Sequence, residues 1–246
     1  MKKWLALAAT AVLGASLLIS GCGSSTNNAS SSGSKEVLMV AANPVPHAEI
    51  LEQVKPILAK EGVDLQIVEF TDYIQPNMAL SSHEVDANFF ANVPYQNNYN
   101  KDHGTNFVSF APVHIEPLAI YSQKIKDLKD LPNGAKVAIP SDPTNSARAL
   151  LLLQSAGLVT LKDPTGLTNT PFDVTSNPKN IQIVELEAAQ IPRSIQDLDA
   201  AVINANYALP AGLNPTKDGL FVEKADSPYA NLLSVNPGDE NKPAIQ

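Results

Sequence analysis

The chain has 246 residues, is 44% hydrophobic and 17% charged, and carries a formal net charge of -8. An acidic chain with no basic stripe excludes a nucleic-acid surface. Its one cysteine, Cys22, excludes an internal disulfide and a cysteine-built metal site.

The first element is a signal. Lys2 and Lys3 precede an apolar run from Trp4 to Ile19, which closes on Ile19-Ser20-Gly21-Cys22. A short positive region, an apolar stretch and small residues at the cut make a secretory signal. The cysteine at its end gives the cut the lipobox form. The predicted chemistry is diacylglyceryl transfer to the Cys22 thiol, then cleavage before it. The competing readings are an ordinary signal with a chance cysteine, or a membrane span. The run is shorter than the ~20 residues that cross a bilayer, and no basic stop-transfer cluster follows it. Residues 1–21 are therefore expected to be removed. About 225 residues remain with a net charge of -10, enough for one large core or two small ones. The expected membrane contact is the lipid on Cys22, at the extracytoplasmic face of the cell membrane. Residues 22–34 read as a Gly/Ser/Asn tether, which as a flexible coil spans roughly 20 Å.

Folding is expected from Lys35. Residues 37–42 are an apolar run typical of a buried parallel strand. Ile50, Leu51, Val54, Ile57 and Leu58 recur at helical spacing, with Pro46 suited to the helix start and Gly62 to its end. A strand over 63–70, a helix near 76–82 and strands over 85–90 and 107–113 follow. The second half alternates again: strand 136–139, helix 144–156, strand 181–186, helix 191–198, strand 200–204. This alternation predicts an α/β fold with mostly parallel sheets. Two stretches read as crossings between lobes: 114–121, long and β-like with Pro117 inside it, and 202–207. Two α/β lobes joined by two strands make a hinge and a cleft, with ligands off the carboxyl ends of strands. The predicted boundaries are 35–117 with 208–246 for the first lobe and 118–207 for the second.

Three polar groups fall at such strand ends. In Ile139-Pro140-Ser141-Asp142-Pro143-Thr144-Asn145-Ser146-Ala147-Arg148 a strand runs through a turn into a helix, with Arg148 in its first turns. A cation there sits against the positive end of the helix dipole, and a docked anion would relieve it. A carboxylate can take a guanidinium bidentately, and a phosphate fits the local chemistry equally; a solvated helix arginine is the plain alternative. Asn204-Ala205-Asn206-Tyr207 brings two amides and a phenol to the next strand end. Asparagine donates and accepts, which suits a zwitterion, although it also favours turns. Asn88-Phe89-Phe90-Ala91-Asn92-Val93-Pro94-Tyr95, with Tyr73 upstream, offers an aromatic wall for an apolar side chain or an ordinary set of core aromatics.

Enzyme chemistry finds no support. His47, His83, His103 and His114 include no pair at metalloprotease spacing, and no nucleophile elbow or Gly-rich phosphate loop is present. No cofactor, metal or catalytic residue is expected.

Taken together, the blocks PHAEIL (46–51), EFTDYIQPNMAL (69–80), DANFF (86–90), HIEPLAIYS (114–122), IPSDPTNSARALLLLQSAGL (139–158), NPKN (177–180), LEAAQIPRSIQDLDAAVINANYAL (186–209) and SPYAN (227–231) resemble the NlpA family of lipoproteins. These are the methionine-binding components of ABC importers, and the match covers nearly all of the chain after the signal. The resemblance implies a type II periplasmic-binding-protein fold. It implies that Arg148 takes a substrate carboxylate, that Asn145, Asn204 and Asn206 hold its polar ends, and that Tyr73, Phe89 and Phe90 wall the side-chain pocket. Asn92 and His114 join them as ligand-binding positions. The implied partners are a small amino acid, methionine-like, and an ABC permease with its ATPase, served by a monomer. Relatives usually read Gln-His where Ala91-Asn92 stand here, which leaves room for another amino acid or a methionine-containing dipeptide. They also continue past Gln246 into a last amphipathic helix. The rival of a different class is a non-transport surface lipoprotein that binds a protein partner.

Overall fold

Backbone pairing sorts the strands into two five-stranded sheets and one small two-stranded one. The structure, a computed structural model, describes residues 35–225 and 227–246. The signal and tether predicted above lie outside these residues. Among the described residues no helix is long and apolar enough to cross a membrane.

The strands are β1 (Glu36–Ala42), β2 (Val63–Glu69), β3 (Ala87–Asn92), β4 (Val108–Ile115), β5 (Ala119–Tyr121), β6 (Lys136–Pro140), β7 (Thr160–Leu161), β8 (Val174–Ser176), β9 (Gln182–Leu186), β10 (Ala200–Ile203), β11 (Phe221–Val222) and β12 (Ala230–Val235). The helices that position the site are α1 (Glu49–Leu58), α2 (Gln75–Ser81), α3 (Val93–His103), α4 (Pro143–Ser155), α5 (Ile191–Ser194) and α6 (Ala205–Ala208). The first sheet runs β2-β1-β3-β12-β4 and the second β11-β5-β10-β6-β9. In the first, β1 is parallel to β2 and β3, while β12 is antiparallel to β3 and β4. In the second, β6 is parallel to β9 and β10, while β5 is antiparallel to β10 and β11.

Both sheets are covered on two faces, which is why their central strands read as unbroken apolar runs. Leu38, Val40 and Ala42 of β1 pack with Leu51 of α1, while Ala41 between them packs on the other face with Leu80 and Tyr99. In β10 the alternation repeats: Ala200 and Val202 face the α4 side, Ala201 and Ile203 the α5 side. Burying a Val, Leu or Ile side chain stabilises by roughly 1.5–3 kcal/mol, so each lobe has a core of its own. The largest joins α4 to β6 and β10 through Leu150, Leu153, Val137, Ile139 and Val202.

β4 of the first sheet passes through residues 116–118 to β5 of the second, inside the stretch 114–121. The other stretch expected to cross, 202–207, stays in the second lobe: Val202 and Ile203 end β10 at the centre of its sheet, α6 follows, and β11 adds to that sheet's edge. The chain leaves the second sheet after Val222 and enters the first at Ala230. Residues 208–222 therefore pack with the second lobe, not the first: Ala208, Leu213 and Val222 join the core around Ile203. A two-residue strand has no periodicity to read, which is why this boundary falls differently. Helix 191–198 is also shorter than expected, with α5 tightening into a single 3-10 turn at Ile195–Asp197.

Candidate ligand site between the two sheets

The site is assembled from strand ends and the first crossing. Tyr73, Phe90, Ala91, Asn92, Tyr95, Glu116, Asn145, Arg148, Asn204, Ala205, Asn206 and Asn231 surround a small cavity of about 20 Å³. That is room for about one water molecule, so the two walls must part to admit a ligand.

The apolar wall is aromatic. Tyr73 stacks on Phe90 with ring centroids 5.9 Å apart, and Tyr95 meets both rings edge-on at 5.7 Å. Tyr73 is held by its own loop. Asn43, just past β1, donates to the carbonyls of Phe70 and Asp72 at 2.7 and 3.2 Å. The Asp72 carboxylate accepts from the Ile74 and Gln75 amides at 2.7 and 2.8 Å. Tyr95 hydroxyl donates to the Tyr73 carbonyl at 2.7 Å. Burial pushes the Tyr73 phenol well up, so it stays a neutral donor. It donates to Asn206 Oδ1 at 2.6 Å, a bond that runs from the first lobe to the second.

The polar wall is a chain of carboxylate and amides. Asp142 caps α4 by accepting from the Asn145 amide N–H at 2.9 Å, and Pro143 supplies the first helical residue. Asn145 Nδ2 also donates to both Asp142 oxygens, at 3.1 and 3.0 Å. Burial raises the Asp142 carboxyl, and these Asn145 bonds oppose the rise. Asn145 Oδ1 accepts from Asn204 Nδ2 at 2.9 Å. That fixes the Asn204 amide so that its Oδ1, buried and without a partner among the described residues, is a vacant acceptor at the cavity.

Arg148 is buried at 4% exposure and already paired. Its Nε donates to Glu223 Oε1 at 2.9 Å and its Nη2 to Glu223 Oε2, a bidentate fork. Nη2 also donates to the Glu116 carbonyl at 2.7 Å. The Tyr229 ring lies 4.3 Å from the guanidinium carbon, a cation–π contact. These bonds use Nε and Nη2, which leaves Nη1 as the edge for a further acceptor. The predicted alternative of a solvated helix arginine is excluded by this burial.

Glu116 supplies the opposite charge. Its Oε1 accepts from His114 Nε2 at 2.9 Å and Asn231 Nδ2 at 3.2 Å. His47 Nε2 lies 3.0 Å from the same oxygen, off the hydrogen-bond line. Burial would raise this carboxyl, but the two histidines outweigh it and hold it down at about 2. His47, His114 and Glu116 are also close enough to share an ion, with donor atoms within 4.8 Å. Both rings approach the same Glu116 oxygen, at 3.0 and 2.9 Å.

Of the predicted positions, Arg148, Asn145, Asn204, Asn206, Tyr73, Phe90 and Asn92 come together around the cavity. Two do not line it. Phe89 is a core residue, 1% exposed and packed with Leu65 and Val235. The cause is strand alternation: Phe89 and Phe90 are neighbours on β3 and so point to opposite faces. His114 stands behind Glu116 rather than at the cavity. Asn92 has a structural duty too, since its Oδ1 caps α3 by accepting from the Tyr95 amide at 3.0 Å. Sequence reasoning assigned no role to Glu116, Glu223 or Asn231. The usable signal for Glu116 was a lone carboxylate inside a β-like crossing, beside Pro117.

The family model described as NlpA lipoprotein matches residues 38–246. The D-methionine-binding lipoprotein MetQ of Salmonella typhimurium is 44% identical over 244 residues, 98% of this chain and 88% of its own. Among solved structures, a nutrient binding protein from Burkholderia cenocepacia bound to methionine is 47% identical with a TM-score of 0.82, over 85% of this chain and 88% of its own. Lipoprotein Tp32 of Treponema pallidum is 42% identical with a TM-score of 0.83, over 86% and 88%.

Proposed function

The chain belongs to the NlpA lipoprotein family, and from that premise we propose that it captures methionine between its two lobes and delivers it to an ABC permease driven by an ATPase. It acts as a monomeric binding protein, not an enzyme, held by lipid on Cys22 at the extracytoplasmic face of the membrane. The observation that carries this reading is one cavity with an ionised carboxylate, a guanidinium and an aromatic wall. Those are the three chemistries of an amino acid with a long apolar side chain.

In this reading the ligand ammonium meets Glu116 and the vacant Asn204 Oδ1. The carboxylate meets Arg148 at Nη1, with Asn145 and Asn206 fixing the surrounding amides. The thioether lies against Tyr73, Phe90 and Tyr95, where sulfur–aromatic contacts contribute ~0.3–1.5 kcal/mol each. Asn92 borders the ligand without an aromatic surface.

Calorimetric titration of the lipid-free protein with L-methionine, D-methionine, leucine and glutamine tests the proposal. Saturable binding of methionine is expected, with a rise in melting temperature. A ligand at 100 times its Kd adds about 2.7 kcal/mol of stability. No binding heat and no thermal shift with any of the four would instead favour the non-transport lipoprotein.

A further inference from the structure

We propose that His47 and His114 are positioning residues for Glu116, and that they make capture of an amino acid dependent on pH. The inference rests on the reading above, in which Glu116 receives the ligand ammonium.

The two rings and the carboxylate form a closed cluster under the cavity floor. His47, from the segment before α1, is 1% exposed; its ring meets Phe89 edge-on at 4.9 Å and lies 5.2 Å from His114. His114, on β4, meets the same Phe89 ring at 5.6 Å. The core thus sets where both Nε2 atoms sit, and they sit at Glu116 Oε1.

The hydrogen-bond network assigns the tautomers. Neither Nδ1 has a partner among the described residues. A proton on either would be a buried, unsatisfied donor, which is unfavourable. His114 Nε2 bonds Glu116 Oε1, and His47 Nε2, though off the hydrogen-bond line, lies 3.0 Å from the same oxygen, so neutral rings carrying Nε2–H place both protons nearest an acceptor and the cluster then bears the single negative charge of Glu116. A ligand ammonium completes it. When the cluster takes up a proton on a ring, the imidazolium matches Glu116 internally and the attraction for the ammonium is lost.

No other group facing the cluster restores that charge. Arg148 touches the Glu116 carbonyl but is matched by Glu223. Asn231 from β12 is neutral, Phe89 from β3 is apolar, and burial keeps the Tyr73 phenol neutral. Asp142 is an independent carboxylate on the polar wall, bonded to Asn145. Substituting the histidines separates its titration from theirs.

The experiment is methionine titration between about pH 8 and pH 5, the range in which imidazole changes charge. It uses wild type, His47→Gln and His114→Gln, with circular dichroism at each pH to confirm folded protein. Glutamine keeps an amide donor and removes the titration. Wild-type affinity is expected to fall with falling pH, by at most about tenfold per unit for one linked proton. Both variants are expected to bind at pH 8 and to show a flatter profile. A flat wild-type profile, or an unchanged slope in both variants, would overturn the inference. Absence of methionine binding at every pH in the wild type would instead refute the amino-acid reading, and this inference with it.

Discussion

Arg148 bonds both Glu223 and the Glu116 carbonyl, so its removal has two consequences. A ligand carboxylate loses its cation, and Glu223 is left as a largely buried, unmatched charge. Breaking a buried pair by removing one partner costs on the order of 3–5 kcal/mol. Arg148→Ala is therefore expected to lower both methionine affinity and the melting temperature. Arg148→Lys should recover part of the stability but little of the affinity, because an ammonium cannot reproduce the planar fork. Calorimetry beside thermal melts reads both effects; wild-type behaviour of Arg148→Ala in both would remove it from the site. At this scale the sequence shows the polar residues of the cavity well. Asn145, Arg148, Asn204 and Asn206 follow strands, and that position alone points them at the cleft. It shows partnerships poorly. Glu223 is 75 residues from Arg148 along the chain, and nothing local marks the pair. The Phe89 assignment fails for a reason that was legible: two adjacent residues of a strand cannot both face one pocket.

Helix α4 carries two of the polar residues of the site, Asn145 and Arg148, in its first two turns. Its start is over-determined by Asp142, Pro143 and the three bonds from Asn145 to one carboxylate. Its end is set by Gly157, whose φ of +75° is the left-handed turn that follows a helix. Asp142→Ala is expected to cost about 0.5–2 kcal/mol of stability through the lost cap. It should also weaken ligand binding, because the Asn145 amide is then free to turn away from Asn204. Asp142→Asn keeps the cap and should preserve most of the stability. Urea unfolding and methionine titration on both variants check this, and equal binding by Asp142→Ala and wild type would show that the cap does not order the amides. Helix α4 was legible almost to the residue, since a strand, a capping turn and a long apolar run adjoin. Helix α3 was not. Its sequence is VPYQNNYNKDH, only Gln96 and Tyr99 are buried, and no apolar period announces it. Strand β12 was missed for a different reason: its pairing with β3 and β4 depends on partners far back in the chain.

At the scale of the molecule, the two lobes meet through few specific bonds. The alternation of strands and helices makes two α/β lobes legible, yet it cannot say which lobe a two-residue strand such as β11 will join. Nor can it show the bond from Tyr73 to Asn206, which joins residues 133 apart and bridges the lobes. This bond exists only where the two walls approach. In Tyr73→Phe the ring and its stacking on Phe90 remain, but Asn206 Oδ1 loses its donor in the closed arrangement alone. An acceptor left buried and unsatisfied costs about 1–3 kcal/mol. That cost falls on the closed state, while an open state lets water take the place of the phenol. The closed population should therefore drop, and apparent affinity drops with the fraction of competent molecules. Methionine is expected to bind Tyr73→Phe about 5- to 150-fold more weakly, the range corresponding to that energy. Melting of the ligand-free protein should change less than melting at saturating methionine. Small-angle scattering supplies the second measurement: the wild type should contract on adding methionine, and the variant should need more ligand to reach the same radius. Were Tyr73→Phe to bind and contract like the wild type, the phenol would be a spectator and closure would rest on the ligand and the aromatic wall.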